Sequence, residues 1–321
     1  MSEDLEQRKL ALRQKQSLPL EGKIILAQQR IREWYDHWNG QVYISFSGGK
    51  DSTVLMHLVK EMYPDVPAVF VDTGLEYPEV RKFATERADV VLRPAMRFDQ
   101  VIKQYGYPVV GKEVAQVVNE ARVSLSRGKN DTSQLRKLRG EKLDKTGAKS
   151  PYNLEKHAYL LDAPFQVSHK CCYVMKKSPC KAYEKQAGRK AIIGTMASES
   201  SLRTTSYLRN GCNAFKSSRP TSQPMSVWLE QDVLQYIRDK NLEIASVYGD
   251  VIERDGKLTT TGLDRTGCMF CAFGISQDGC PNRFQRMKET HPRQYSYCMK
   301  PVDEGGLGLK EVLEYIGVPY E

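Results

Sequence analysis

The hydrophobic positions of this chain change period at residue 40. Before it, Ile24, Ile25, Ala27, Ile31, Trp34, Tyr35 and Trp38 recur at spacings near three and four, which lays one apolar face along a helix, and Asn39-Gly40 supplies a stop. After it, the β-type run Val42-Tyr43-Ile44-Ser45-Phe46 meets Ser-Gly-Gly-Lys-Asp-Ser, and Val54, Leu55, Leu58 and Val59 resume a helical spacing. Ala68–Asp72 (AVFVD) is short and almost continuously apolar, as a strand covered on both faces must be. Asp89–Leu92 (DVVL) and Ala191–Gly194 (AIIG) predict two more strands, with helical patterns at about 78–88, 98–105, 111–122 and 175–187. Strands alternating with helices predict an α/β fold, a parallel sheet sandwiched by helices. Ligands of such sheets sit beyond the strands' carboxyl ends, where SGGKDS, VDTG and GTMASES all fall. The expected organisation is a helical N-terminal extension (1–40), a main domain (41–262) with an insertion at 122–150, and a small C-terminal cysteine-containing segment with a docking helix (263–321).

Composition narrows the class. The 321 residues can bury a full core, and 40% hydrophobic with 27% charged residues is ordinary for a soluble protein. No apolar run approaches a membrane span, and MSEDLEQRKL is charged rather than signal-like, so a cytoplasmic location is expected. Eight cysteines are too few for a disulfide scaffold, and their clustering suggests metal or redox chemistry. Of the net charge of +9, the segment from Arg122 to Ser150 supplies +6: nine basic residues against Asp131, Glu141 and Asp144. A mobile or partly helical insertion of that charge suits a polyanion such as tRNA or DNA, or is a solvated loop without a partner.

Three loops and two cysteine pairs carry candidate chemistry. Gly48 and Gly49 let the backbone approach an anion, and the N–H groups of the new helix point at it with the helix dipole behind them. Ser47 and Ser52 add hydroxyls, and Lys50 adds a point charge suited to phosphate. The spacing is not that of a G-x-x-x-x-G-K-[ST] loop. Arg203 is suited to bidentate contact with phosphate or sulfate, or to a surface ion pair. Cys268-x-x-Cys271 puts two thiolates on one centre, and Cys171-Cys172 can complete four ligands for zinc or an iron–sulfur cluster. Lys176 and Lys177 would oppose the charge of such a site. Cys180 and Cys280 are alternative ligands, Cys212 and Cys298 are spare, and all four read equally as small buried hydrophobes. His169 and His291 read as hydrogen-bonded structural residues, and Trp34 and Trp38 as core. The stretch 282–300 interleaves Arg and Lys with Phe284, Tyr295 and Tyr297, a pattern shared by single-strand binders and by amphipathic helices.

SGGKDS resembles the PP-loop of the ATP pyrophosphatase superfamily, enzymes that split ATP between its α- and β-phosphates. Within it the chain is similar to the phosphoadenosine phosphosulfate (PAPS) reductase family through VFVDTGLEYPEV (69–80), KCCYVMKKSP (170–179), IIGTMASESSLR (192–203), PMSVWLEQDVLQYI (224–237) and GCMFC (267–271), in the family's order. The resemblance implies an adenine nucleotide α-hydrolase-like fold. It also implies ATP phosphates on Ser47, Gly48, Gly49, Lys50, Asp51 and Ser52, and a pocket lined by Asp72, Thr73 and Gly74, with Asp72 near ribose or Mg2+. Glu199, Ser200 and Arg203 match a G-x-x-x-x-E-S-x-x-R loop, but Met196 or Ala197 replaces the arginine expected in its middle. Tandem cysteines with a distant CxxC resemble the 4Fe–4S-bearing adenylylsulfate reductase branch, whereas Cys268, Cys271 and Cys280 resemble the cysteine group of DNA phosphorothioation PP-loop enzymes.

The expected activity is adenylation of an acceptor for sulfur transfer with release of pyrophosphate, Lys50, Asp51 and Arg203 being catalytic and a sulfur donor or reductant protein a partner. The alternatives are a sulfonucleotide reductase producing sulfite and a non-catalytic iron–sulfur nucleic-acid-binding module. The intact SGGKDS loop, and a tail LKEVLEYIGVPYE without the reductases' Glu-Cys-Gly-Leu-His motif, favour ATP.

Overall fold

The computed structural model describes residues 3–321, with the side chains of 4–321, and divides them into two compact units. The first comprises residues up to Asp72, Glu76–Arg93 and Pro179–Thr266; the second comprises Thr73–Leu75, Pro94–Ser178 and Gly267–Glu321. Neither unit is contiguous in sequence. The basic segment 122–150, expected as an insertion of the main domain, groups with residues 267–321.

The first unit is built on a five-stranded sheet. Strands β1 (Val42–Phe46), β2 (Ala68–Val71) and β3 (Val90–Leu92) precede β5 (Lys190–Ile193) and β6 (Thr221–Ser222), in the order β3-β2-β1-β5-β6 with every pair parallel. β4 (Val109–Val110) lies in the second unit. The register sets Ile44 opposite Ala68 on one side and opposite Ile192 on the other. Burial of Val42, Ile44, Phe46, Ala68, Val69 and Phe70 matches their unbroken apolar pattern. The order reverses at β1, so the crevice beyond the carboxyl ends of β1 and β5 is the topological switch point, the usual ligand position in open parallel sheets.

Residues 1–40 were expected as helical, and two helices, Glu3–Gln16 and Leu20–His37, occupy the described part. The second buries Leu20, Ala27, Ile31 and Trp34. Trp34 is fully buried against Phe215, with ring centroids 5.1 Å apart, so it is core. On the same face Lys23 is buried and holds Asp232 at 2.6 Å. An antiparallel hairpin, β7 (Val251–Arg254) and β8 (Lys257–Thr260), turns at Asp255-Gly256, both at positive φ.

The second unit carries helices Phe98–Tyr105, Lys112–Ser126 and Ser133–Arg139, then Arg283–Thr290, Pro292–Met299 and Leu309–Tyr315. Here β4 pairs in parallel with β9 (Ala272–Phe273), Val109 opposite Ala272. The basic segment is ordered by this unit's core. Leu135 and Leu138 are buried, Lys137 is buried against Glu113, and Arg122 donates to the carbonyls of Leu161, Ala163 and Phe165. Arg136 and Lys149 pair with Asp131 and Glu155. Four of its nine cations are therefore engaged within the unit. No described helix is long and apolar enough to cross a membrane.

Candidate functional site

The phosphate-sized loop sits at the switch point. β1 ends at Phe46, and the helix Lys50–Met62 begins four residues on with Gly49 as its N-cap. Gly48 is required by packing: its φ is +75°, and a Cβ there would stand 2.8 Å from both the Ala84 Cβ and the Val80 carbonyl oxygen. The loop is braced by Ser52, whose Oγ accepts from the Ser47 N–H at 3.1 Å and donates to the Gly49 carbonyl at 2.8 Å.

A cavity of about 480 Å³ opens above this loop, within the range of small-molecule sites. Ser47, Gly49, Lys50, Asp51 and Ser52 form its floor, and Gly194, Thr195, Glu199, Ser200 and Arg203, which follow β5, form one wall. Tyr248, Arg265 and Thr266 form another wall that sequence reasoning missed. Tyr248 is buried; its hydroxyl lies 3.4 Å from the Lys50 N–H, which donates to it, and 2.5 Å from the Thr266 hydroxyl. No local motif marks these residues, since only folding of the segment after Ala245 brings them to the loop.

The cavity's charges are mixed. Lys50 is buried, with Nζ 3.1 Å from Glu230 Oε1 and 3.4 Å from Asp51 Oδ1. Burial works against its charge, but the two carboxylates outweigh it and hold the Lys50 pKa above the ordinary lysine value. Asp51 Oδ1 is buried, and its contact with Lys50 is an ion pair rather than a hydrogen bond. Arg203 ion-pairs with Glu199, and its pKa is lowered by burial and by the nearby Arg265. Asp72 does not line this cavity. It is buried and gripped by Arg81 through two 2.7 Å hydrogen bonds, with Arg93 3.9 Å away. In this structure the Asp72 carboxylate is committed to Arg81. Thr73 and Gly74 belong to the second unit.

The second unit holds both cysteine pairs. Cys171, Cys172, Cys268 and Cys271 line one small cavity with Leu75, Phe98, Pro108, Met175 and Lys176. The CxxC turn is closed by the Cys271 N–H donating to the Cys268 carbonyl at 3.2 Å and is anchored on one side by the β4–β9 pair. Arg283 donates to the Cys271 carbonyl at 2.9 Å while Asp278 grips its guanidinium at 2.7 Å. A π-helical turn, Tyr173–Lys177, follows Cys172, a local irregularity common beside functional sites. The Cys171 and Cys172 sulfurs are 3.9 Å apart. The hydrogen bond from its neighbour lowers the Cys172 pKa below the ordinary thiol value, against burial and with help from Lys112, Lys176 and Lys177. Cys271 is pushed up to about 12 by burial and by Cys268.

Cys180, Cys212, Cys280 and Cys298 do not line this cavity. Among the described residues, no three Cys, His, Asp or Glu side chains are gathered as they would be around a metal ion. The donor set, four thiols in apolar surroundings beside a lysine, fits thiolate-ligated cluster chemistry in kind.

The phosphoadenosine phosphosulfate reductase domain profile matches residues 41–137 and 137–272, and the chain belongs to that family. The phosphoadenosine 5'-phosphosulfate reductase of Serratia proteamaculans is 36% identical over 63 residues, 20% of this chain and 26% of that protein. The enzyme of the same name from Alkalilimnicola ehrlichii is 39% identical over 75 residues, 22% of this chain and 31% of that one. An uncharacterized protein of Methanocaldococcus jannaschii is 23% identical over 302 residues, 92% of this chain and 55% of its own length. The matches thus span about a quarter to half of these relatives. A phosphoadenylyl-sulfate (PAPS) reductase from Candida auris, solved as a phosphate complex, aligns with a TM-score of 0.38 and 14% identity over 72% of this chain and 91% of that one.

Proposed function

We propose that the chain is an ATP pyrophosphatase of the PAPS reductase family that adenylates an acceptor for sulfur transfer and carries a 4Fe–4S cluster. The observation that carries the reading is the complete Ser47–Ser52 loop at the floor of a switch-point cavity, with the ion-paired Lys50 and Asp51 in its lining. The acceptor's nucleophilic atom attacks the α-phosphorus, the α–β bridging P–O bond breaks, and pyrophosphate leaves with that electron pair. The acceptor's proton passes to solvent. Lys50 and the N–H groups of the helix start stabilise the departing charge. Asp51 would hold Mg2+, which when bound neutralises pyrophosphate. Arg203, half-buried against Glu199, keeps the wall of the cavity cationic.

Cys171, Cys172, Cys268 and Cys271 would hold the cluster, which can supply electrons or bind sulfur. Of this chain's own groups, Lys112, Lys176 and Lys177 favour the thiolate form of Cys172.

The names of the relatives support a second reading, reduction of a sulfonucleotide to sulfite. Its thiol nucleophile would have to be found outside Cys298, which is fully buried and whose pKa is raised by burial. The deciding experiment is competition on anaerobically purified protein with magnesium: a non-hydrolysable ATP analogue against adenylylsulfate and PAPS. Preference for the analogue by about tenfold or more, ~1.4 kcal/mol, supports the ATP reading, and preference for a sulfonucleotide overturns it.

A further inference from the structure

A second cavity, of about 360 Å³, adjoins the first and is lined in part by the same two cations, Lys50 and Arg265. Its other walls come from Glu230, Gln231 and Leu234 on the helix Glu230–Asp239, from Leu258, Thr259 and Thr260 on β8, and from Asp264 beside Arg265. The segment leading to Arg265 is firmly built. Gln231 clips Leu258 through both backbone groups, at 2.8 and 2.9 Å. Gly262 crosses so close to Tyr248 that a Cβ would stand 2.3 Å from the Val247 carbonyl oxygen. The Thr260 hydroxyl donates to the Leu263 carbonyl at 3.0 Å, and Thr266, next to Arg265, is bonded to Tyr248.

The cations of the two cavities are not equally engaged. Lys50 is held by Asp51 and Glu230, and Arg203 by Glu199. Arg265 makes no side-chain hydrogen bond or ion pair with the described residues, although its charge is near enough to that of Arg203 to lower the latter's pKa. Asp51, Glu199, Glu230 and Asp264 also line the two cavities, but among the described residues none pairs with Arg265, whose guanidinium is left available to an anion. The cavity is too large for an ion alone, and Leu234 and Leu258 give it apolar surface for a ring-sized body.

We infer that this second cavity is the acceptor site, and that it takes a nucleotide unit whose phosphate is anchored by Arg265. The inference rests on ATP occupying the first cavity, because the shared Lys50 then sets the acceptor beside the phosphates. Free nucleotides and nucleic-acid chains offer the same unit.

The test is calorimetric titration of the full chain, saturated with a non-hydrolysable ATP analogue, with thymidine, thymidine 5′-monophosphate and a short oligothymidylate. The monophosphate and the oligonucleotide should both bind, and thymidine should bind about tenfold more weakly or not at all. Arg265→Gln should lower the affinity for the monophosphate about tenfold, and by more than it lowers that for the analogue. Thr259→Trp, which fills the second cavity only, should abolish monophosphate binding and leave analogue binding intact. Tighter binding of the oligonucleotide than of the monophosphate assigns the acceptor to a nucleic-acid chain, and equal binding to a free nucleotide. Absence of monophosphate and oligonucleotide binding, or binding indifferent to Thr259→Trp, overturns the inference. If the analogue itself does not bind, the ATP reading fails, and the same titrations without it, parent against Thr259→Trp, still decide the second cavity.

Discussion

Glu230, the first residue of its helix, places Oε1 3.1 Å from the Nζ of Lys50. The lysine that the phosphate loop offers to a nucleotide is thus shared with a carboxylate of another element. A phosphate arriving at Lys50 must compete with that carboxylate. Glu230→Gln should therefore tighten binding of an ATP analogue several-fold and lower the Lys50 pKa. The raised pKa means that the pair's contribution to stability is complete below about pH 10 and is lost as pH rises through the folded-state value. In Glu230→Gln the alkaline limit of nucleotide binding should move to lower pH, as a titration of analogue affinity against pH would record. An unchanged limit would mean that Glu230 does not govern Lys50.

The two loop glycines should fail differently. Gly48→Ala puts a Cβ against Val80 and Ala84 at a positive φ, and should cost about 1–3 kcal/mol in unfolding measurements. Gly49 has φ −75°, and its nearest prospective contact is the Tyr248 hydroxyl at 3.3 Å. Gly49→Ala should keep its melting temperature within a few degrees and weaken analogue binding instead.

The Lys23–Asp232 pair is a stability element without a role in chemistry. Asp232→Ala strands a buried ammonium and leaves the Leu229 N–H without its 2.6 Å acceptor, at an expected cost of about 3–5 kcal/mol. Lys23→Met combined with Asp232→Asn removes both charges, keeps an acceptor oxygen, and should recover most of that loss in denaturant titrations.

Asp278 makes the cysteine loop acid-sensitive. Burial opposes its ionisation, but Arg283 outweighs burial and holds the carboxyl below the ordinary value. The stabilisation is complete above the unfolded value, about 3.9, and is lost as pH falls through the folded one. Arg283, which also donates to the Cys271 carbonyl, is then released. Hydrogen exchange of residues 268–283 should quicken below about pH 4, and Asp278→Asn should show the same exchange at neutral pH.

Cys271→Ser should abolish iron incorporation and the visible absorbance of anaerobically reconstituted protein, while analogue binding persists. Iron content undiminished in that variant would remove Cys271 from the ligand set.

The sheet's centre was legible because β1, β2 and β5 are covered on both faces and therefore read as apolar runs. β6 was not: Thr221–Ser222 is a polar pair whose strand state comes from pairing with Ala191 and Ile192. Asp255-Gly256 between VIER and KLTT was a hairpin signal that went unread, and the wall built from Tyr248, Arg265 and Thr266 lay behind it. The four cysteines were legible as two pairs, and the structure sets them around one cavity. The charge count of 122–150 could not show that Arg122 and Lys137 serve the unit's own interior.

The hydrogen-bond partner of β1 on its β5 side emerges about 150 residues later in the chain. At synthesis rates of about 5–20 residues per second, Val42–Ser45 waits roughly 8 to 30 seconds on the ribosome with that edge open. The phosphate loop waits as long for the wall that follows β5, and longer for Tyr248, Arg265 and Thr266. A nascent chain therefore presents half a binding site and an apolar strand edge for many seconds, the kind of edge on which another chain can pair.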